Sequence, residues 1–131
     1  MSDTLDLPEE VRIFLLEGYE LLDQAETDLL LLEKDSSKAE LFNSVFRGIH
    51  TIKGNSGFLN LVQTEKVCHT SEGVLDRLRS GKLVVRPELI SALLSGIDVV
   101  RELLRDIEST GAESARDVTP LLRDLARYSS S

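Results

Sequence analysis

Apolar residues recur along this chain at spacings of three and four, the period that lays one buried stripe along an α-helix. The first stripe, Val11, Phe14, Leu15, Leu22, Ala25, Leu29 and Leu32, begins just after Pro8, which suits a first helical turn, and predicts a helix from Pro8 to Glu33. The polar stretch Lys34 to Ser37 interrupts the period. Ser37 with Glu40 three residues on has the form of a capping box, so a second helix is predicted from Lys38 to Gly57. Its stripe is Phe42, Val45, Phe46, Ile49 and Ile52, and it loosens over Gly57 to Asn60, where glycine and asparagine favour a turn. A third helix, Gln63 to Ser80, buries Val67, Cys68, Ser71, Val74, Leu75 and Leu78, with Ser80-Gly81 as its stop. The fourth runs from Pro87 to Ser109 on Leu89, Leu93, Ile97, Val100, Leu104 and Ile107, and Thr110-Gly111 closes it. Val118, Leu121, Leu122 and Leu125 predict a short last helix over Ala115 to Tyr128, with Ser114 or Thr119 as its N-cap.

Four long amphipathic helices joined by short polar connections specify an all-α fold, an antiparallel four-helix bundle with an additional short fifth C-terminal helix. At 131 residues the chain is the size of one domain, and residues 1–131 are read as a single unit. Composition then narrows the function. No apolar run approaches the roughly 20 residues that a membrane-spanning helix needs, so no membrane insertion is expected. Met1 to Glu10 is acidic and contains Pro8 where a signal peptide needs a basic start and an apolar stretch. The single cysteine, Cys68, cannot form an internal disulfide and fits a reducing compartment, so a cytoplasmic protein is expected. Because Cys68 lies in an apolar stripe, it reads as a small hydrophobe without a redox role. Fifteen basic against 23 acidic residues leave a net charge of -8, which repels phosphate backbones and excludes nucleic acid as a partner.

Chemistry is sparse. The chain has two histidines, and His50 lies about 100° around its helix from Ile49, at the rim of the core. Lys53 and Gly54 follow at three and four residues, one turn along the same face, with Gly57 a further turn on. An imidazole nucleophile, an ammonium to offset phosphate charge and glycines that admit a bulky partner together suit phosphoryl transfer. Neutral imidazole attacks through its unprotonated nitrogen, so the other nitrogen needs an acceptor that fixes the tautomer. Glu72, three residues after His69 on the third helix, is the carboxylate chosen for that role. Singly, these residues read blandly: His50 as a boundary histidine, Lys53 as a solvated side chain, Gly54 as a helix-interior position costing roughly 1 kcal/mol relative to Ala. His50, His69 and Glu72 could also ligate zinc, but they offer only three ligands.

The run Phe46-Arg47-Gly48-Ile49-His50-Thr51-Ile52-Lys53-Gly54 resembles the site helix of histidine-containing phosphotransfer (HPt) domains, whose signature is His-x-x-Lys-Gly. With the His69-x-x-Glu72 pair and the Leu78-Arg79-Ser80-Gly81 stop, the chain is most similar to the N-terminal phosphotransfer (P1) domains of chemotaxis histidine kinases of the CheA type, over nearly its whole length. The resemblance implies that His50 is phosphorylated on its outward ring nitrogen, that Glu72 orients the inner one, and that Lys53 and His69 support the site. It implies that a separate histidine kinase catalytic domain delivers the phosphoryl group from ATP and that an aspartate of a response-regulator receiver domain takes it. ATP and magnesium would be bound by those partners. No cofactor or metal is expected in this domain, which would be a monomeric phosphoryl carrier without an ATP site, the N-terminal piece of a longer kinase. A free-standing relay protein and a non-catalytic helical docking module are the alternatives. Where related kinases continue after the motif with a row of small residues, this chain has Asn55-Ser56 before Gly57, for which altered partner contacts are expected.

Overall fold

The computed structural model describes residues 6–129; the domain limits Met1 and Ser131 lie outside them. Five helices follow one another: α1 (Glu9–Lys34), α2 (Ala39–Phe58), α3 (Val62–Arg79), α4 (Pro87–Thr110) and α5 (Thr119–Ser129). α1 packs on α2 and α4, and α3 packs on the same two, so four helices close a ring around one core while α5 lies across α3 and α4. The connections Asp35–Lys38, Leu59–Leu61 and Ser80–Arg86 are too short to carry the chain back along a helix, so successive helices run antiparallel. Among the described residues no helix is long and apolar enough to cross a membrane.

Every stripe residue of α3 and α4 read from the sequence is buried, and Leu22, Leu29, Leu32, Ile52 and Leu75 are wholly so. Four stripe residues differ: Val11, Phe46, Leu121 and Leu122 are half-buried and pack at the edge of the core. Among the described residues Asp28, Ser56 and Thr64 are buried polar positions that the apolar period does not reveal. Asp28 of α1 accepts hydrogen bonds from Gln24 Nε2 (2.9 Å) and from Ser44 Oγ of α2 (2.8 Å), a polar clasp between the two helices. Cys68 is buried as expected, and burial, reinforced by the Glu72 charge, pushes its thiol up to about 12.

The C-terminal stops form as the sequence indicates. At the end of α2, Asn60 adopts the left-handed conformation, φ 60°, and the Leu61 and Asn60 N–H groups bond back to the carbonyls of Ser56 and Gly57. Gly81, φ 80°, ends α3 the same way, with Lys82 N–H on Arg77 O at 2.8 Å.

α4 begins at Pro87 as read, but the starts of α1, α2 and α5 differ from expectation. Pro8 is the N-cap of α1, with ψ 148°, outside the first turn, and its carbonyl receives the Val11 and Arg12 N–H groups. The Ser37–Glu40 capping box does not form: Ser37 Oγ and its N–H both donate to Asp35 Oδ1, at 2.6 and 3.1 Å, and α2 begins after Lys38 with no side-chain cap. An ionised carboxylate two residues away outcompetes the helix end for the hydroxyl. α5 uses neither Ser114 nor Thr119 as cap. Its first turn is held by Val118 O and by Asp117 Oδ1, which accepts the Thr119 N–H at 3.0 Å, while Ser114 Oγ bonds Asp106.

Candidate functional site

α2 and α3 form a tight hairpin, and His50 and Glu72 stand equally far on either side of Leu61 in its turn, so the antiparallel packing brings them opposite each other. His50 Nδ1 lies 2.6 Å from Glu72 Oε2. Lys53, one turn nearer the hairpin loop, donates from Nζ to the other oxygen, Oε1, at 2.7 Å. One carboxylate thus holds both cation-capable groups, each by its own oxygen. Glu72 keeps 15% of its side-chain surface and Lys53 23%, whereas His50 keeps 61%, so the carboxylate sits at the floor and the imidazole at the mouth.

Partial burial pushes the Glu72 carboxyl up, but the hydrogen bonds from Lys53 and His50, with their charges, outweigh it and hold the group below the ordinary carboxylate range. An ionised carboxylate only accepts hydrogen bonds. The proton between Glu72 and His50 therefore belongs to Nδ1, which leaves the lone pair of the neutral ring on Nε2, at the edge of the imidazole away from Glu72.

The other residues singled out from the sequence divide. His69 is exposed on α3 and flanks the site, lining one groove with Lys53 and Lys66 and another with Phe46 and Glu72, without a hydrogen bond to His50 or Glu72. A Cβ at Gly54 would meet nothing within 4 Å, so the face one turn from His50 is open. Gly57 departs from the expected notch. A Cβ there would lie 2.6 Å from Glu65 Oε2, so a side chain of α3 covers the space read as an approach for a partner.

A family model described as "Hpt domain" matches residues 9–110. The chain belongs to the Hpt domain family. Its relatives include the sensor histidine kinase CheAY of Helicobacter pylori, 38% identical over 83% of this chain and 14% of that protein, and the chemotaxis protein CheA of Borreliella burgdorferi, 30% identical over 96% and 15%. The chain therefore spans about one seventh of the length of these relatives. Among solved structures it is similar to the histidine phosphotransfer domain of CheA in solution, with a TM-score of 0.84, 29% identity and coverage of 94% of this chain and 93% of that one. It is also similar to the phosphorylated P1 domain of CheA3 from R. sphaeroides, solved in complex with CheY6, with a TM-score of 0.82, 28% identity and coverage of 91% and 93%.

Within this Hpt domain the departure at Asn55-Ser56 resolves into one inward and one outward residue. Ser56 is fully buried and donates to Ile52 O at 2.6 Å, while Asn55 lines a surface groove with Ile13 and Phe58. Among the described residues no group of three or more His, Cys, Asp or Glu side chains could hold a metal ion, because His69 does not join the His50–Glu72 pair. Two contacts, one on the His50 ring and one behind it, escaped the sequence reading. The Phe46 ring, read as core, stacks beside the imidazole, and the Arg79 guanidinium lies over that phenyl ring. The i, i+4 spacing of Phe46 and His50 is a usable signal for the first. Arg79 comes from the far end of α3 and has no local signal.

Proposed function

We propose that His50 is the phosphoryl carrier of a two-component signalling kinase, loaded from ATP held by a separate histidine kinase catalytic domain and unloaded onto an aspartate of a response-regulator receiver. Membership of the Hpt domain family supports the phosphotransfer chemistry. The relative crystallised in its phosphorylated form with CheY6 supports a receiver as the acceptor, and the CheA-type relatives support a chemotaxis-type kinase as the parent. ATP and magnesium belong to those partners on this reading, and an ATP-dependent signalling kinase places the domain in the cytoplasm.

The observation that carries the reading is the 2.6 Å contact of Nδ1 with an ionised Glu72. In the loading step the Nε2 lone pair forms a bond to the γ-phosphorus as its bond to the β–γ bridging oxygen breaks and ADP leaves. No proton need be removed. Nδ1 keeps its hydrogen, and the positive charge that develops on the ring faces the Glu72 carboxylate, as an imidazolium faces its orienting acid in a hydrolase triad. Lys53 has three N–H donors and gives one to Glu72, which leaves two for phosphoryl oxygens. In unloading, the receiver's carboxylate attacks the same phosphorus and Nε2 takes back its electron pair.

Incubation with a CheA-type kinase core and labelled ATP tests this. The expected result is an acid-labile, alkali-stable label mapping to His50 and absent from a folded His50→Gln variant. A His50→Gln chain that labels as well as the parent overturns the assignment. No label with several active cores favours a docking module.

A further inference from the structure

We propose that Phe46 is a positioning residue for His50, fixing the plane of the imidazole that Glu72 fixes only at one atom. The inference rests on the phosphotransfer reading above and extends it. The hydrogen bond to Nδ1 is a pivot: it holds one corner of a ring whose side chain is 61% exposed and leaves the ring free to tilt about that corner. The Nε2 lone pair lies in the ring plane, so a tilt swings the direction of attack away from an in-line phosphorus. A second contact is needed to set the plane, and Phe46 makes it. The two rings are nearly parallel, 8° apart, with centroids at 5.9 Å, a displaced-stack geometry.

Helix geometry produces the contact. Side chains on a helix lean toward its N-terminus, so His50 covers the turn below its own Cα, where Phe46 stands. The phenyl ring is itself held from α3. The Arg79 guanidinium carbon sits 3.8 Å from its centroid, and Arg79 Nε is tied to Asp76 Oδ1 at 3.0 Å. α3 therefore orients His50 twice, through Glu72 at the nitrogen and through Arg79 and Phe46 at the ring face. This accounts for a large aromatic side chain remaining half-buried at the rim when the stripe of α2 would otherwise draw it into the core.

The test uses the whole chain as substrate of a CheA-type kinase core. Phe46→Leu is expected to lower kcat about three- to tenfold, the range that the energy of one aromatic pair converts to, with KM unchanged. Phe46→Tyr, which keeps the ring, is expected to restore kcat to within twofold. Arg79→Gln, at an exposed position where folding is not at risk, is expected to lower kcat about twofold. NMR signals of the His50 ring protons should move in Phe46→Leu and return in Phe46→Tyr, a readout that needs no transfer. Phe46→Leu labelling at the parent kcat overturns the proposal, as does a Phe46→Tyr variant that loses as much as Phe46→Leu. A rise in KM alone would make Phe46 a docking contact. If the parent chain takes no label, the phosphotransfer reading fails, which is distinct from a labelled parent matched by its Phe46→Leu variant.

Discussion

Replacing Glu72 by Gln separates the electrostatic role of the carboxylate from its shape. Each Glu72 oxygen takes one charge-assisted hydrogen bond, at 2.6 Å from His50 and 2.7 Å from Lys53. An amide keeps one acceptor oxygen and presents an NH2 group in place of the other. Lys53 can only donate, so the amide oxygen turns to it and the NH2 faces Nδ1. Nδ1 must then accept, the ring proton moves to Nε2, and the nucleophilic lone pair is blocked. A hydrogen bond to a charged group contributes about 1.5–3 kcal/mol. Because His50 is 61% exposed, solvent screening places the loss at the lower end, which is roughly tenfold in rate. Glu72→Ala admits water as a neutral substitute acceptor, so it should slow labelling less than the isosteric amide does. Initial rates with a kinase core and labelled ATP, alongside 15N NMR of the ring nitrogens for the tautomer, measure both effects. A Glu72→Gln chain that labels at the parent rate with Nδ1 still protonated would refute the reasoning.

Glu113, in the α4–α5 connection, caps α3 from outside the helix: Oε1 accepts the Gln63 N–H at 2.9 Å, and Oε2 accepts the Thr64 N–H and hydroxyl, both at 2.7 Å. Glu113→Ala should lower stability by about 1–2 kcal/mol in urea titration with an unchanged m-value, and a loss below about 0.3 kcal/mol would dismiss the cap. Tyr19 is pushed up to about 12, by burial first and then by the hydrogen bond it donates to Glu108 at 3.0 Å. A phenol raised on folding stabilises fully below its unfolded value of about 10, and that contribution is lost as pH rises through about 12. Difference absorbance titration of the parent against Tyr19→Phe should place the Tyr19 ionisation there, and a midpoint near 10 would contradict it. Glu72 works in the opposite direction. Its carboxyl is lowered on folding, so its contribution is present above the ordinary carboxylate range and vanishes as pH falls through its depressed native value.

What the sequence disclosed depended on whether the signal was local. The five helices follow from the three-four period, and the stops at Asn60 and Gly81 follow from residues that accept positive φ. The helix starts were harder, because a capping hydroxyl has competitors: Ser37 satisfied the motif at α2 yet bonds Asp35. The contact of Phe46 with His50 was missed for a related reason, although its packing against the core was read. Phe46 adjoins Val45 on the edge of the stripe, and periodicity cannot say whether an edge aromatic turns to the core or along the helix to His50. Glu113 on α3 and Asp28 with Ser44 join residues distant in sequence, and no window of the chain contains both partners. His50, Glu72 and Lys53 were legible across that same kind of distance. Glu72 was chosen from its place with His69 on the third helix, and the antiparallel packing of α2 and α3 is what sets that choice opposite His50.

The charges of the site also bear on why a carrier should be built this way. Before loading, the Glu72 anion and the Lys53 cation pair at 2.7 Å and offset each other. On the proposed mechanism loading adds a ring cation, which faces Glu72, and a phosphoryl dianion, which meets the spare donors of Lys53. The dianion is thus met by part of one lysine at the exposed mouth where His50 stands, and screening there makes a contact worth little. Gly54 leaves the adjoining face bare. A ring fixed firmly at Nδ1 and a phosphoryl group held loosely at Nε2 present the leaving group in a set direction without stabilising the loaded state against transfer. That division also ranks the residues. Substitutions at Glu72 should act on loading and unloading alike, since both pass through the imidazolium-like ring, whereas Lys53→Ala should mainly weaken the hold on the phosphoryl group. Binding strength at the phosphate would slow a relay, and a loosely held phosphoryl group is what the exchange requires.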